Sequence, residues 1–196
     1  MLSWPFKSSI SACTLLMVRP AYSTVPDAIR PVTIPARSSV SVPLHVVMPA
    51  QPGDHPESLQ LFASNGAAIS VPVARRTLIP ASGGAFQALI TGTSARSVGQ
   101  ISTFEINVPA GQPDLNVSFH TADASADNKF SYYLVSPSGA VAATASTPQT
   151  VNGQPVGDAT LTTASPAAGI WQIDVVLKLT VSGKEFTQTV YGDVGH

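Results

Sequence analysis

The feature that most constrains this chain is a pair of alternating apolar stretches separated by a proline-bearing turn. Residues 98–119 read VGQISTFEINVPAGQPDLNVSF, and their apolar residues fall largely on every second position. The apolar positions are Ile101, Phe104, Ile106, Val108, Leu115, Val117 and Phe119. A period of two is typical of strands with one buried face, and prolines punctuate the connection between them. The stretch therefore predicts two strands that pack one shared apolar face.

Composition extends this prediction to the whole chain. Charged residues make up 11% of the 196 residues, the formal net charge is −1, and apolar residues make up 44%. Such a chain has the burial potential of an ordered domain, and its 17 prolines and 14 glycines favour many turns. With so few charged residues and no excess of basic ones, the composition does not predict a basic surface for binding nucleic acid. The length suits one large β domain or two small ones, and we favour two.

The N-terminal segment, residues 1–23, has two interpretations. Lys7 precedes a modestly apolar run, and Ala21, Tyr22 and Ser23 resemble a cleavage site, which together sketch a poor secretory signal. The alternative is a non-native start that belongs to no domain. Cys13 is the only cysteine, so an intrachain disulfide or a thiolate zinc cluster is excluded. No apolar run approaches the ~20 residues of a membrane span.

Residues 24–80 predict a small fibronectin-III-like or immunoglobulin-like β module. Residues 31–35 suit an edge strand, because proline is tolerated at sheet edges. Apolar residues alternate from Val40 to Val46 and predict a second strand. Asn65 and Gly66 separate two further alternating arms and predict a type I′ hairpin.

Residues 81–85 are rich in glycine and alanine and predict a linker. Residues 86–196 predict a larger module. Residues 86–90 begin it, residues 130–135 read as a central strand, and residues 136–139 form a tight turn. Residues 147–157 predict a loop, and strands are predicted near 159–163, 170–180 and 186–191. Short strands at regular spacing predict an all-β fold of antiparallel sheets, with the larger module a jelly-roll-like sandwich.

Candidates for catalysis or zinc binding are weak. Gly92, Thr93 and Ser94 resemble the segment of a subtilisin nucleophile, but the residues that follow predict a turn and a strand instead of the required helix. The four histidines are not paired at a metal-ligand spacing: His45, His55, His120 and His196. We therefore expect no enzyme activity and no tightly held zinc.

Two binding sites are open alternatives. Asp114, Asp123 and Asp127 could supply oxygen ligands to calcium, although their spacing matches no defined calcium loop. Trp171, Tyr132 and Tyr133 could form an aromatic sugar-binding face. A tryptophan after a glycine turn is more often a core residue, so we expect Trp171 to be buried.

Four sequence blocks, taken together, resemble a known family. They are residues 98–100 (VGQ), 108–117 (VPAGQPDLNV), 134–139 (LVSPSG) and 168–171 (AGIW). In this order they resemble the region C-terminal to the protease domain of secreted bacterial subtilisin-like serine peptidases, where a fibronectin-III-like module precedes a β-sandwich. The resemblance covers roughly residues 25–191. Ser136 stands where the family has aspartate, and serine serves equally well in a turn.

The resemblance implies an extracellular, non-catalytic accessory region without a cofactor. The catalytic segments of the family have no counterpart here, so no active-site residue is carried over. The partner would be a subtilase catalytic domain, another extracellular protein or a surface ligand. A separately encoded fragment of such a peptidase and a free-standing secreted module for carbohydrate or a cell-wall partner are the two functional alternatives.

Overall fold

The structure, a computed structural model, describes residues 2–7, 13–20, 32–35, 37–44, 47–92, 100–124, 128–180 and 186–195. Throughout these ranges the regular elements are β-strands, and the strand pairings are antiparallel. The all-β prediction is therefore confirmed. None of the described residues belongs to a helix that could cross a membrane. The chain divides into two compact units, Met1–Pro49 with His55–Arg75, and Ala50–Asp54 with Arg76–His196.

The first unit is built from two antiparallel sheets. Its strands are β1 (Leu2–Lys7), β2 (Cys13–Pro20), β3 (Val32–Ile34), β4 (Ser39–Leu44) and most of β5 (Gly53–Ala63) and β6 (Ala68–Thr77). Residues 53–54 of β5 and 76–77 of β6 belong to the second unit. One sheet pairs β1 with β4, and the other has the order β3-β2-β5-β6. The edge strand predicted at residues 31–35 is confirmed as β3. The signal-like or non-native segment predicted at residues 1–23 contains two strands that pair within this unit.

The hairpin predicted around Asn65 and Gly66 is confirmed, but its turn is different. Gly66 has φ 86°, whereas Asn65 is not among the described non-glycine residues with positive φ. The Gly66 N–H donates to the Ala63 carbonyl at 3.0 Å, and the Ala63 N–H donates to the Ala67 carbonyl at 2.8 Å. A type I′ turn needs positive φ at both central residues, so this loop is a longer turn that ends on Gly66.

The second unit is a sandwich of two four-stranded sheets. Its long strands are β7 (Gly84–Gly92), β8 (Ile101–Val108), β9 (Asp114–Thr121), β10 (Asn128–Val135), β11 (Val141–Thr147), β14 (Asp158–Ala164), β15 (Gly169–Thr180) and β16 (Phe186–Gly195). The sheets have the orders β11-β10-β15-β8 and β14-β9-β16-β7. Between β11 and β14 lies a small hairpin of β12 (Gln149–Val151) and β13 (Gln154–Val156), where a loop was predicted. Asn152 and Gly153 both have positive φ there, as a type I′ turn requires.

The strand pairing in this unit is nested: strands from the start of the unit pair with strands from its end, working inward along the chain. The first long strand pairs with the last (β7 with β16), and β8 pairs with β15, β9 with β14 and β10 with β11. Two further contacts, β16 with β9 and β15 with β10, complete the sheets. This double-sheet arrangement is a jelly roll, which confirms the predicted class for the larger module. The strands β8 and β9 share one core, as predicted, but they face each other from opposite sheets.

The core of the sandwich is filled by the inward side chains that the alternation predicted. Phe104, Leu115 and Phe119 are at most 3% exposed, whereas Ile101, out of phase with the others, is 56% exposed. Four aromatic rings form a line through the core. Phe104 and Phe86 lie 4.5 Å apart, Phe86 and Phe119 6.1 Å, and Phe119 stacks on Tyr132 at 4.1 Å.

Gly192 makes room for this line of rings. It pairs with Phe86 of β7 on one side and with Phe119 of β9 on the other. A Cβ atom at Gly192 would lie 2.1 Å from Cζ of Phe86. The missing side chain on β16 is therefore replaced by the aromatic ring of Phe86 from the neighbouring strand, a known way of filling the gap beside a strand glycine.

The observed boundary between the units precedes the linker predicted at residues 81–85. The Gly83 N–H donates to the Pro80 carbonyl at 2.8 Å, so this segment is a tight turn that leads into β7. Just before it, Ile79 is 1% exposed in the sandwich core, and its N–H donates to the Glu105 carbonyl at 2.8 Å. The glycines that resembled a flexible linker thus belong to the second unit.

Arg76 connects residues 50–54 to the sandwich through ion pairs. Its Nε lies 2.5 Å from Oδ1 of Asp54 and its Nη2 2.9 Å from Oδ2, while Nη1 bonds Glu105 on β8. The bidentate bond with Asp54 is the largest cause that raises the pKa of Arg76 above its ordinary value. The guanidinium therefore stays charged at every pH at which the protein folds.

Candidate ligand-binding face

The outer face of the β14-β9-β16-β7 sheet carries a polar row that crosses all four strands. Asp158 is the cross-strand partner of His120, His120 of Tyr191, and Tyr191 of Gln87. These residues point outward because they alternate with the buried inward residues of each strand. With strands about 4.8 Å apart, the row is about 14 Å long. We call this row and the residues beside it the sheet-face site.

Tyr191 lies at the middle of the site and is 49% exposed. On one side of it, Nδ1 of His120 lies 2.7 Å from Oδ1 of Asp158. Both partners are more than half exposed, so this contact is a surface pair that orients the imidazole and contributes little to stability. On the other side Gln87 presents an exposed amide.

Two shallow hollows adjoin Tyr191. One has a volume of about 500 Å³ and includes Ser118, His120, Asp158, Thr160 and Asp193. The other, of about 220 Å³, includes Gln51, Pro52 and Gln87. Ala85 and Tyr191 line both, so the two hollows lie next to each other on the sheet, and we call them together the trough.

The lining of the trough is acidic. Its lining contains two carboxylates, Asp158 and Asp193, and neither lysine nor arginine among the described residues. Asp158 faces His120, whereas the carboxylate of Asp193 has no ion-pair partner in the part of the chain that the structure describes. Asp193 is exposed and follows Tyr191 at the next outward position of β16.

On the outer face of the opposite sheet, the polar groups around Asp174 form a larger hydrogen-bond network than the single His120–Asp158 pair. Oδ1 of Asp174 accepts hydrogen bonds from Thr103 at 2.8 Å and from Gln172 at 2.9 Å. Tyr133 lies in the same cross-strand row and is half-buried. This network uses the hydrogen-bonding capacity that a ligand would need, so the β14-β9-β16-β7 face is the better candidate.

The aromatic sugar-binding face suggested by sequence does not form as a unit. Trp171 is 3% exposed, and its Nε1 donates to the Ala167 carbonyl at 2.8 Å, which confirms the expectation that it is a core residue. Tyr132 is fully buried and shares a 2.8 Å hydrogen bond with Oγ1 of Thr147. Only Tyr133 of this set reaches the surface, because neighbouring residues of β10 face opposite sides of the sheet.

Burial raises the pKa of Tyr132 to about 12, and the bond with Thr147 opposes this only in part. An unfolded chain would ionise this tyrosine near its ordinary pKa of about 10. The folded state is therefore favoured fully below pH ~10, and we expect it to lose about 2–3 kcal/mol as pH rises through 12. Urea unfolding across this range checks the loss, and a Tyr132→Phe variant should show a smaller one. An equal loss in that variant would assign the effect to other groups.

Two of the calcium candidates, Asp114 and Asp123, are not brought together. Asp114 begins β9 and Asp123 follows its end, about 20 Å or more along the strand. The Asp123 carbonyl accepts a 3.1 Å hydrogen bond from Nε2 of Gln188. Asp127 lies outside the described residues, and within those residues no three His, Cys, Asp or Glu side chains form a metal-binding group.

The remaining sequence candidates fall in different places. Ser94, His45 and His196 lie outside the described residues. His55 lies in β5. His120 lies next to the last residue of β9 and belongs to the sheet-face site.

Sequence reasoning missed the site itself. Gln87, His120, Asp158 and Tyr191 are far apart along the chain, and only the nested strand pairing aligns them. Each does carry a local signal, since each occupies the polar phase of an alternating stretch. That signal identifies an outward side chain without identifying its neighbours on the next strand.

No protein-family model matches this chain, and no curated protein matches it. Among solved structures, one that matches concerns carbohydrate-binding modules from the β-sandwich superfamily and their promiscuous specificity. The alignment covers 98% of this chain and 94% of that chain, at 9% sequence identity and a TM-score of 0.30. A likeness at this level does not establish a shared function.

Proposed function

We propose that the second unit is a non-catalytic binding module that holds a polysaccharide on the sheet-face site. The observation that carries this proposal is the position of Tyr191, an exposed aromatic ring in the middle of a polar row on an open sheet. It supports the role in binding carbohydrate or another surface ligand that the sequence left open.

The chemistry of the row matches that of a sugar chain. A pyranose presents an apolar C–H face and a rim of hydroxyl groups. An exposed tyrosine offers an apolar ring with a polar tip, and it suits the C–H face. The hydroxyls of Ser118 and Thr160, the carboxylates and the Gln87 amide can donate or accept hydrogen bonds at the rim. A row about 14 Å long exceeds one sugar ring, which favours a chain over a monosaccharide.

The openness of the site favours binding over catalysis. The imidazole of His120 and the carboxylate of Asp158 are both largely in water. Catalytic groups gain most of their effect in water-excluded sites, where charges act through a low dielectric. The pair is better suited to fixing a ligand's hydroxyl groups than to activating a nucleophile.

Affinity electrophoresis through gels that contain neutral glucan, mannan, xylan or hydroxyethyl cellulose tests the proposal. We expect at least one polymer to retard the protein, and Tyr191→Ala to weaken that retardation about tenfold or more, because a central aromatic contact is lost. Tyr191→Phe keeps the ring and should keep most of the binding. Tyr133→Ala, on the opposite sheet, is the matched control. Retardation that survives Tyr191→Ala would place the binding elsewhere.

We also propose that this module serves as the extracellular accessory region of a subtilisin-like peptidase. Three of the four sequence blocks that resemble that family fall at structural junctions of the second unit: the β8–β9 connection, the β10–β11 turn and the start of β15. In the turn, the Gly139 N–H donates to the Ser136 carbonyl at 2.9 Å, so a tight turn forms with serine at the position where the family has aspartate. Sequencing the DNA on both sides of the coding region tests this attachment. An in-frame catalytic domain upstream would support it, and an unrelated neighbouring domain would contradict it.

A further inference from the structure

We infer that the sheet-face site selects uncharged polysaccharides over polymers that carry carboxylate or sulfate groups, and that Asp193 makes this selection. The inference rests on the proposed polysaccharide function and adds the charge class of the ligand. It follows from the position of the acidic groups in the trough.

Asp193 is placed to meet any chain that lies on Tyr191. It is the next outward residue along β16, and its cross-strand partner is Ser118 of β9, another lining residue of the larger hollow. A sugar ring stacked on Tyr191 would therefore bring its substituents near the Asp193 carboxylate. An acidic substituent would meet a like charge there, and like charges that face each other on a sheet repel.

Among the described lining residues of the trough, no lysine or arginine offsets that repulsion. Asp158 adds a second negative charge, and its facing partner His120 is the only cationic side-chain type among the lining residues that the structure describes. Arg76, a described arginine of the same unit, is engaged with carboxylates of its own, Asp54 and Glu105. A uronic acid or a sulfate would therefore meet negative charge without a guanidinium or ammonium to neutralise it.

The test uses polymers that share a backbone and differ in charge. Hydroxyethyl cellulose is compared with carboxymethyl cellulose, and neutral glucan and mannan with their carboxymethyl derivatives, in affinity gels at low ionic strength. We expect the neutral form to retard the protein about fivefold more strongly than its anionic counterpart, which is the scale of one exposed charge contact. Added salt should reduce this ratio, because the charges are exposed to solvent.

Asp193→Asn assigns the effect to a residue. It removes one charge from the trough while keeping the size of the side chain. We expect it to lower the ratio of retardation by the neutral polymer to retardation by the anionic polymer towards one. Asp174→Asn removes one charge from the opposite face and should leave the ratio as it is. A thermal melt of each variant confirms that it is folded.

The outcomes separate this inference from the function on which it rests. Equal retardation by both members of a pair, abolished in both by Tyr191→Ala, would refute charge selection and leave polysaccharide binding in place. A ratio that is the same in Asp193→Asn and in the unaltered protein would also refute the role of Asp193. Absence of retardation in every neutral polymer would refute the binding function, and the inference with it.

Discussion

Replacing Gly192 with valine should lower the free energy of unfolding of the second unit by about 3 kcal/mol or more. The new Cβ would lie 2.1 Å from Cζ and 2.5 Å from both Cε atoms of Phe86, well inside van der Waals contact. The ring has little freedom to move, since it also packs on Phe104 and Phe119. Overfilling a close-packed core commonly costs about 1–3 kcal/mol, and a branched side chain in a central strand lies at or above that upper end.

Two further variants make this expectation specific. Gly195→Ala lies in the same strand, has no atom within 4 Å of its added Cβ, and should leave stability nearly unchanged. Combining Gly192→Ala with Phe86→Leu gives the new methyl group space, so the double variant should be more stable than the sum of the two single effects. Urea unfolding followed by Trp171 fluorescence, in a Trp4→Phe background, reports on this unit. A Gly192→Val protein as stable as the Gly195→Ala protein would contradict the close approach.

Replacing Phe119 with alanine should cost about 3–5 kcal/mol, the range measured when a buried aromatic residue is truncated. The ring is 3% exposed, and it stacks on Tyr132 at 4.1 Å and meets Phe86 at 6.1 Å. It therefore links the two sheets as well as filling volume. Removing it would leave a cavity whose lining also comes from both sheets, which limits how far the walls can relax.

A neighbouring position provides the comparison. Ser118→Ala changes an exposed residue of the same strand and should alter stability by no more than about 0.5 kcal/mol. Phe119→Leu fills part of the volume and should fall between the two. The same fluorescence measurement gives all three values. If Phe119→Ala cost no more than Ser118→Ala, the central position assigned to this ring would be wrong.

The strands of the second unit were predictable from sequence because alternation is a local signal. Ile106, Val108, Leu115 and Val117 marked inward faces correctly, and the proline-rich connection marked a turn. What could not be read locally was the sheet to which each strand belongs. The strands β8 and β9 are adjacent in sequence, yet they occupy opposite sheets, since their pairing partners are β15 and β14.

The type of each hairpin turn also could not be predicted from the local sequence. Two Asn-Gly pairs occur at hairpin tips, at Asn65 and at Asn152, and only the second is flanked by arms that permit a two-residue turn. The candidate site shows the same limit more strongly. Gln87, His120, Asp158 and Tyr191 come from four strands, so no pattern within any one strand contains the site.

The nested pairing of the sandwich has a consequence for how the chain is made. Because β7 pairs with β16, the backbone N–H and C=O groups of the first long strand can form their hydrogen bonds only once the last strand is available. A ribosome releases residues in order, so this unit cannot close while Phe186–Gly195 is still unsynthesised or inside the exit tunnel. Pairings of such long separation are slow to form and leave strand edges exposed in the meantime. The sandwich therefore acquires its fold only after Phe186–Gly195 has left the ribosome, and until then its unpaired strands must be kept from associating with other chains.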